Sequence, residues 1–221
     1  MSNSPWKNYF DQKALTHGAS VKSSDYFDDD SFFSQREYIL RWLGPQKNKD
    51  ILDAGCGVGA FSEPWVGANN VHGVDFSEKS LEYAAGRGLK TLAGDLASLP
   101  FAAGSFDLVV CIGVIQLIED YQKVIAELAR VTKPGGVLLV QTLHQKSLQR
   151  KLLTFFERSK KFDKMYDMDE VARVFDQLGF TDISFLKQYH PLKTVRQSCA
   201  FGHLSDNFCT SFAIRGRKCN G

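Results

Sequence analysis

The sequence has no long hydrophobic run. None of its apolar stretches approaches the roughly 20 residues that a membrane-spanning helix needs, and Met1-Ser-Asn-Ser-Pro-Trp6 lacks the charged-then-apolar pattern of a secretion signal. It also lacks an excess of either charge: 27 Lys and Arg stand against 25 Asp and Glu, a formal net charge of +2. No global electrostatic pull toward nucleic acid follows from that balance. Cysteine is sparse and odd in number, with five residues at 56, 111, 199, 209 and 219 and no C-x-x-C pair. This excludes a disulfide framework and a thiol-based zinc site and predicts a reducing, cytoplasmic setting. Internal repeats and low-complexity segments are absent too. What remains is a 221-residue chain, 43% hydrophobic and 24% charged, enough for one sizeable α/β core.

The most informative stretch is Ile51-Leu-Asp-Ala-Gly-Cys-Gly-Val-Gly-Ala60. A short apolar run meets an acid, Asp53, and then a loop with glycines at Gly55, Gly57 and Gly59. A strand ends this way when the backbone must turn tightly and a ligand must approach without meeting a Cβ. Such loops commonly cradle phosphates, but Asp53 would repel a pyrophosphate and instead suits a ligand carrying an ammonium group. The spacing also departs from G-x-G-x-x-G, because Ala60 stands where the third glycine belongs. The loop reads as a site for S-adenosylmethionine rather than for a dinucleotide.

Around it, strand and helix patterns alternate. Strands are predicted at 50–54, 71–75, 90–93, 106–112 and 137–142, with a final pair at 180–188 and 208–215. Helices are predicted over 32–43, from about Ala60, over 78–86 behind a Ser77 cap, over 121–131 and over 169–178. This alternation predicts a doubly wound sheet with its ligand outside the carboxyl ends of the strands. Asp75 ends the second strand twenty residues after Gly55, the distance at which a carboxylate can take both ribose hydroxyls. Phe76 follows it. Asp95 and Leu96 end the third strand, where Asp95 can accept from an adenine amino group, and Ile112 in Cys111-Ile-Gly113 brings backbone to the same pocket. Asp107, early in its strand, reads as structural.

Five ordered blocks carry a family resemblance: 52–59, 74–77, 94–96, 106–110 and 128–140. Together they resemble the class I S-adenosylmethionine-dependent methyltransferases, in the small-molecule branch known as type 11, over roughly residues 36–215. The resemblance implies a Rossmann-like seven-stranded sheet with an antiparallel last strand and helices on both faces. It also implies S-adenosylhomocysteine as product, a methionine-binding loop from Asp53 to Gly59 with Asp53, Gly55, Cys56 and Gly57 on the cofactor, and Asp75 on the ribose. An arginine on the helix before the first strand, here Arg36, is implied to pair with the cofactor carboxylate, a bidentate contact with a sound physical basis. Residues 1–44 are expected to form an N-terminal helical cap over a single cofactor-binding domain, 45–221.

The acceptor is less defined. Methyl transfer depends mainly on alignment, although a hydroxyl acceptor also needs a base. His144, after the fifth strand, is the leading candidate, ahead of His190, His17 and Tyr26. The family's histidine after the fourth strand is replaced here by Gln116. No metal is expected, since Asp28-Asp-Asp30 reads as a solvated, helix-capping loop. The N-P-P-[YFW] motif of nucleic-acid amino methyltransferases is absent. Residues 145–162 alternate Leu148, Leu152, Phe155 and Phe156 with six basic residues. That pattern fits an amphipathic helix packed on its own domain as an acceptor lid, or one lying on an anionic membrane. With Thr142-Leu-His144 before it and Pro191-Leu192 after, the context is similar to quinone-biosynthesis O-methyltransferases and fits an apolar or lipid-linked acceptor. The expected activity is methyl transfer to a small-molecule hydroxyl. The alternatives are a cofactor-binding scaffold, a protein or nucleic-acid methyltransferase and, more distantly, a nicotinamide oxidoreductase. Nothing in the sequence sets an oligomeric state.

Overall fold

The computed structural model describes residues 5–24, 29–147, 164–189, 196–197 and 209–220. Helix α1 (Pro5–His17), a 3-10 turn (Val21–Ser24) and α2 (Asp29–Leu43) lead into strand β1 (Asp50–Ala54). Then come β2 (Asn70–Asp75), α3 (Glu78–Gly86), β3 (Lys90–Ala93), β4 (Phe106–Ile112), α4 (Tyr121–Val131) and β5 (Thr132–Leu143). The chain closes with α5 (Met168–Gln177), β6 (Phe180–Tyr189), β7 (Arg196–Gln197) and β8 (Ser211–Lys218).

The strands form one sheet in the order β3-β2-β1-β4-β5-β8-β6-β7. Strands β1 to β5 pair in parallel, and β8 inserts antiparallel between β5 and β6. This is the expected doubly wound sheet with its antiparallel last strand. A two-residue β7 adds an eighth strand at the far edge through Gln188↔Gln197 and Tyr189↔Arg196. Alternate residues of the central strands feed two cores. Leu52, Val109, Leu138 and Val140 pack with α4 and α5, while Ile51, Leu108, Val110 and Leu139 pack with α2 and α3. Helices therefore cover both faces, which is why β4 reads as an unbroken apolar run.

Local signals place several elements. Ser77 Oγ accepts from Ser80 N and starts α3, and Asp120 Oδ1 accepts from Lys123 N and starts α4. At the amino end of the sheet, Lys133 Nζ reaches Asp50 Oδ2 at 2.8 Å and Asp107 Oδ2 at 2.9 Å, which gives Asp107 a structural task.

Helix α2 starts three residues before its expected 32 and the last strand lies three residues beyond its expected 208–215, and two elements differ more deeply. The helix expected from about Ala60 does not form; a single 3-10 turn, Glu63–Trp65, takes its place. Gly55, Gly57 and Gly59 all lie at positive φ, and Pro64 and Gly67 bound what is left, too little chain for a stable helix. Strand β5 starts directly after α4, five residues earlier than expected, with Lys133-Pro-Gly-Gly136 inside it and a register shift opposite Phe106 and Leu108. Among the described residues no helix is long and apolar enough to cross a membrane.

Candidate cofactor and acceptor site

The strand order reverses between β1 and β4, so a crevice opens above their carboxyl ends. The glycine loop fills its floor. Gly55 N and Cys56 N both donate to Val74 O, at 2.7 and 3.1 Å, which folds the loop back over β2. Its shape demands glycine. Gly55 has φ +79°, and a Cβ there would stand 2.3 Å from Val114 Cγ2. At Gly57, with φ +49°, a Cβ would stand 2.5 Å from Ser24 Oγ. Cys56 is buried beside Gly73, and burial pushes its thiol well up, which keeps it protonated and inert.

Two carboxylates meet at this loop. Asp75 ends β2, where its Oδ2 accepts from Gly57 N and its Oδ1 from Ser77 N, both at 2.9 Å. Burial still raises its pKa, against these backbone bonds. Asp53, 1% exposed, accepts from Ser62 Oγ at 2.5 Å. Burial pushes its pKa up to about 7; Ser62 opposes the shift and the Asp75 charge adds to it. No cation is among the groups acting on Asp53. A buried carboxylate held this far from its ordinary value is complementary to a positively charged ligand, and an ammonium beside a sulfonium is such a ligand. The residues present therefore fit S-adenosylmethionine.

Arg36, on α2, donates from Nη1 to Ala60 O at 2.7 Å and lies 4.7 Å from the centre of the Phe33 ring. It thus sits at the exit of the glycine loop. Asp95 is exposed, and its Oδ1 accepts from Ala97 N at 2.9 Å to cap the turn, while Leu96 is buried in the core. Phe76 meets the Phe10 ring of α1 at 6.0 Å, and Ser77 Oγ donates to Asp11 Oδ1 at 2.6 Å. The N-terminal segment therefore leans on both halves of the site. A small cavity of about 30 Å³ lies between Val21, Ser24, Phe32, Asp53, Phe61 and Ile112. A larger one, about 500 Å³, opens at the opposite end of the sheet near Lys49, Asp107 and Arg217. It lies at the amino ends of the strands, away from the glycine loop, so the smaller cavity marks the site.

His144 follows β5, is fully buried, and meets the Phe212 ring edge-on at 5.7 Å. His17 closes α1. Gln116 Oε1 accepts from Thr142 Oγ1 at 3.2 Å. His190, Tyr26 and Asp28 lie outside the described residues, as does all but 145–147 of the amphipathic segment 145–162. Among the described residues no group of His, Cys, Asp and Glu could hold a metal ion.

Residues that the sequence did not flag also belong here. Ser62 and Ser24 touch the carboxylate and the loop directly. Near the carboxyl ends of β5 and β6, Gln35, Gln141 and Gln188 form a buried amide cluster. No motif marks any of them.

A methyltransferase-domain family model matches residues 52–140. The chain is 32% identical over 181 residues to the demethylmenaquinone methyltransferase of Geobacillus kaustophilus, covering 67% of this chain and 77% of that protein. It is 40% identical over 116 residues to the malonyl-[acyl-carrier protein] O-methyltransferase of Erwinia pyrifoliae, but that match covers 51% of this chain and only 44% of the relative. Among solved structures, a Thermotoga maritima S-adenosylmethionine-dependent methyltransferase described as a possible histamine N-methyltransferase superposes with a TM-score of 0.74. It is 21% identical and the match covers 96% of this chain and 99% of that one, a likeness of fold. The chain belongs to the class I S-adenosylmethionine-dependent methyltransferases. Its cofactor is S-adenosylmethionine.

Proposed function

We propose that this protein transfers a methyl group from S-adenosylmethionine to a hydroxyl oxygen of a small molecule. The observation that carries the reading is the pair Asp53 and Asp75 on one glycine loop, both buried and both raised in pKa, poised for a cationic ligand. Bound there, the cofactor supplies an electrophilic methyl on a sulfonium leaving group. Asp53 faces the ammonium, Arg36 the carboxylate, Asp75 the ribose hydroxyls and Asp95 the adenine edge. Phe76 and Ile112 border the ring and the reacting end. The chain's own task is alignment, which supplies much of the acceleration in such displacements.

A neutral hydroxyl is a poor nucleophile, and its proton must leave as the carbon–oxygen bond forms. His144 is the candidate acceptor of that proton, the imidazole at the carboxyl end of a strand among the described residues. A relative named as an O-methyltransferase supports oxygen transfer, and one named as a demethylmenaquinone methyltransferase supports a quinone-like acceptor. Calorimetric titration with S-adenosylmethionine, S-adenosylhomocysteine and NADH tests the cofactor reading. Binding of the first two alone is expected, and binding of neither would reject it. His144→Gln should lower turnover about a hundredfold or more at unchanged S-adenosylhomocysteine affinity; wild-type turnover would return His144 to a packing role.

A further inference from the structure

Beside the cofactor cavity lies a buried polar cluster that the assignments above do not use. Gln188, on β6 and fully buried, receives three donors on its Oε1. These are Gln35 Nε2 from α2 at 2.8 Å, Ser211 Oγ from β8 at 2.7 Å and Gln141 Nε2 from β5 at 3.3 Å. The other halves of two of these amides are left over. Gln188 Nε2 and Gln141 Oε1 are buried and have no hydrogen-bond partner among the described residues. A buried donor and a buried acceptor on two amides already in contact are costly to leave open, and native interiors seldom leave them so without a reason.

The cluster's position ties it to methyl transfer. Gln141 is in register with Ile112 on the neighbouring parallel strand, so the two share a face of the sheet, and Ile112 lines the cavity beneath Asp53. Gln35 stands one turn after Phe32, which lines the same cavity. The amides therefore sit at the carboxyl ends of β5 and β6, with Gln141 one strand over from Ile112 and two from β1, whose end carries the glycine loop.

Taking the methyltransferase reading as its basis, the geometry points to Gln141 and Gln188 as the acceptor-recognition pair, selecting an uncharged hydroxyl-bearing ring. The bookkeeping of donors and acceptors makes the choice. A hydroxyl both donates, to Gln141 Oε1, and accepts, from Gln188 Nε2. An ammonium only donates and leaves Gln188 Nε2 open. A carboxylate only accepts and leaves Gln141 Oε1 facing like charge, with no cation in the cluster to compensate its burial. The site thus discriminates by unpaired groups, the mode that gives the largest selectivity per contact.

The test uses the full chain saturated with S-adenosylhomocysteine and titrated with catechol, benzylamine and benzoate, alongside methyl-label transfer from S-adenosylmethionine to each. Catechol should bind and accept the label, with at least about tenfold preference over both charged probes. Gln141→Met removes the Oε1 acceptor together with the long Nε2 contact to Gln188, and Gln188→Glu removes the donor while keeping an oxygen for its own three donors. Each should erase most of that preference while S-adenosylhomocysteine affinity, the check on folding, stays at the wild-type value. A charged probe bound or methylated as well as catechol, no engagement of catechol, or an unchanged ranking in both variants would overturn the assignment of the pair. Failure of the wild type to bind S-adenosylhomocysteine would sink the underlying methyltransferase reading, and this inference with it.

Discussion

Ser62 Oγ donates to Asp53 Oδ2 at 2.5 Å, and this hydrogen bond opposes the rise in the Asp53 pKa. Nine residues separate them, so the turn that replaces a helix after the glycine loop is what delivers the serine. Burial, opposed in part by this contact, holds the Asp53 pKa at about 7, and pH becomes a direct probe of its role.

With a pKa of about 7 in the folded chain against an ordinary value of 3.8, native Asp53 holds a proton that the unfolded chain releases. Stability of the ligand-free protein should therefore fall as pH rises from about 4 through 7 and level off above, by on the order of 4 kcal/mol from this group. Asp50 and Asp107, whose pKa values are lowered, pull the other way, so the contribution is read as wild type minus Asp53→Asn in urea melts across that window. The affinity for S-adenosylmethionine should climb up to about tenfold per pH unit below 7 and plateau above. A pH-independent affinity in the wild type would remove Asp53 from the ammonium.

Gly57→Ala combines two costs. An alanine at φ +49° is strained by about 1–2 kcal/mol, and its Cβ would stand 2.5 Å from Ser24 Oγ. A fall in Tm of about 2–4 °C per kcal/mol is expected for a chain of this size, with weakened cofactor binding. Adding Ser24→Gly should recover the steric share but not the backbone share. A double mutant no better than the single would show that the N-terminal turn yields without cost.

Asp75 does two things at once. It accepts from Gly57 N and Ser77 N, so it holds the loop and the start of α3 even before a ribose arrives. Asp75→Ala should therefore lower stability by about 1–3 kcal/mol for the orphaned amides and weaken S-adenosylhomocysteine at least tenfold. Full affinity in calorimetry would contradict the ribose assignment, whatever the stability change.

Much of this architecture was readable because its signals are local. Ser77 before Glu78, Asp120 before Tyr121 and the glycines flanking each strand fix α3, α4, β1, β3 and β4 to the residue. One reading failed: the helix expected from about Ala60 is one that three positive-φ glycines and Pro64 forbid. Helix α1 was legible only as part of a cap, because of its residues Ala14 is buried and Tyr9 and Leu15 stay exposed, leaving little apolar periodicity. The carboxylates of the cofactor site stood out because each ends a strand. The glutamines did not. Gln35 and Gln188 meet across 153 residues of sequence, and a polar residue near a strand end carries no sign of which helix will cover it.

Arg36 and Asp53 can be separated from Asp75 by the part of the cofactor that each would touch. Methylthioadenosine keeps the adenine and ribose and lacks the amino-acid end. Arg36→Met and Asp53→Asn should each weaken S-adenosylhomocysteine by about tenfold or more, the loss of a charge-assisted contact, while leaving methylthioadenosine within about twofold of wild type. Asp75→Asn should weaken both ligands alike. Arg36 already donates to Ala60 O at 2.7 Å, so a second possibility is built into the design: its guanidinium shapes the loop exit. In that case Arg36→Met would weaken both ligands together, as a displaced loop must, and Arg36→Lys, which keeps one donor for the carbonyl, would restore both. The comparison of two ligands against these four variants by calorimetry decides between contact and scaffold.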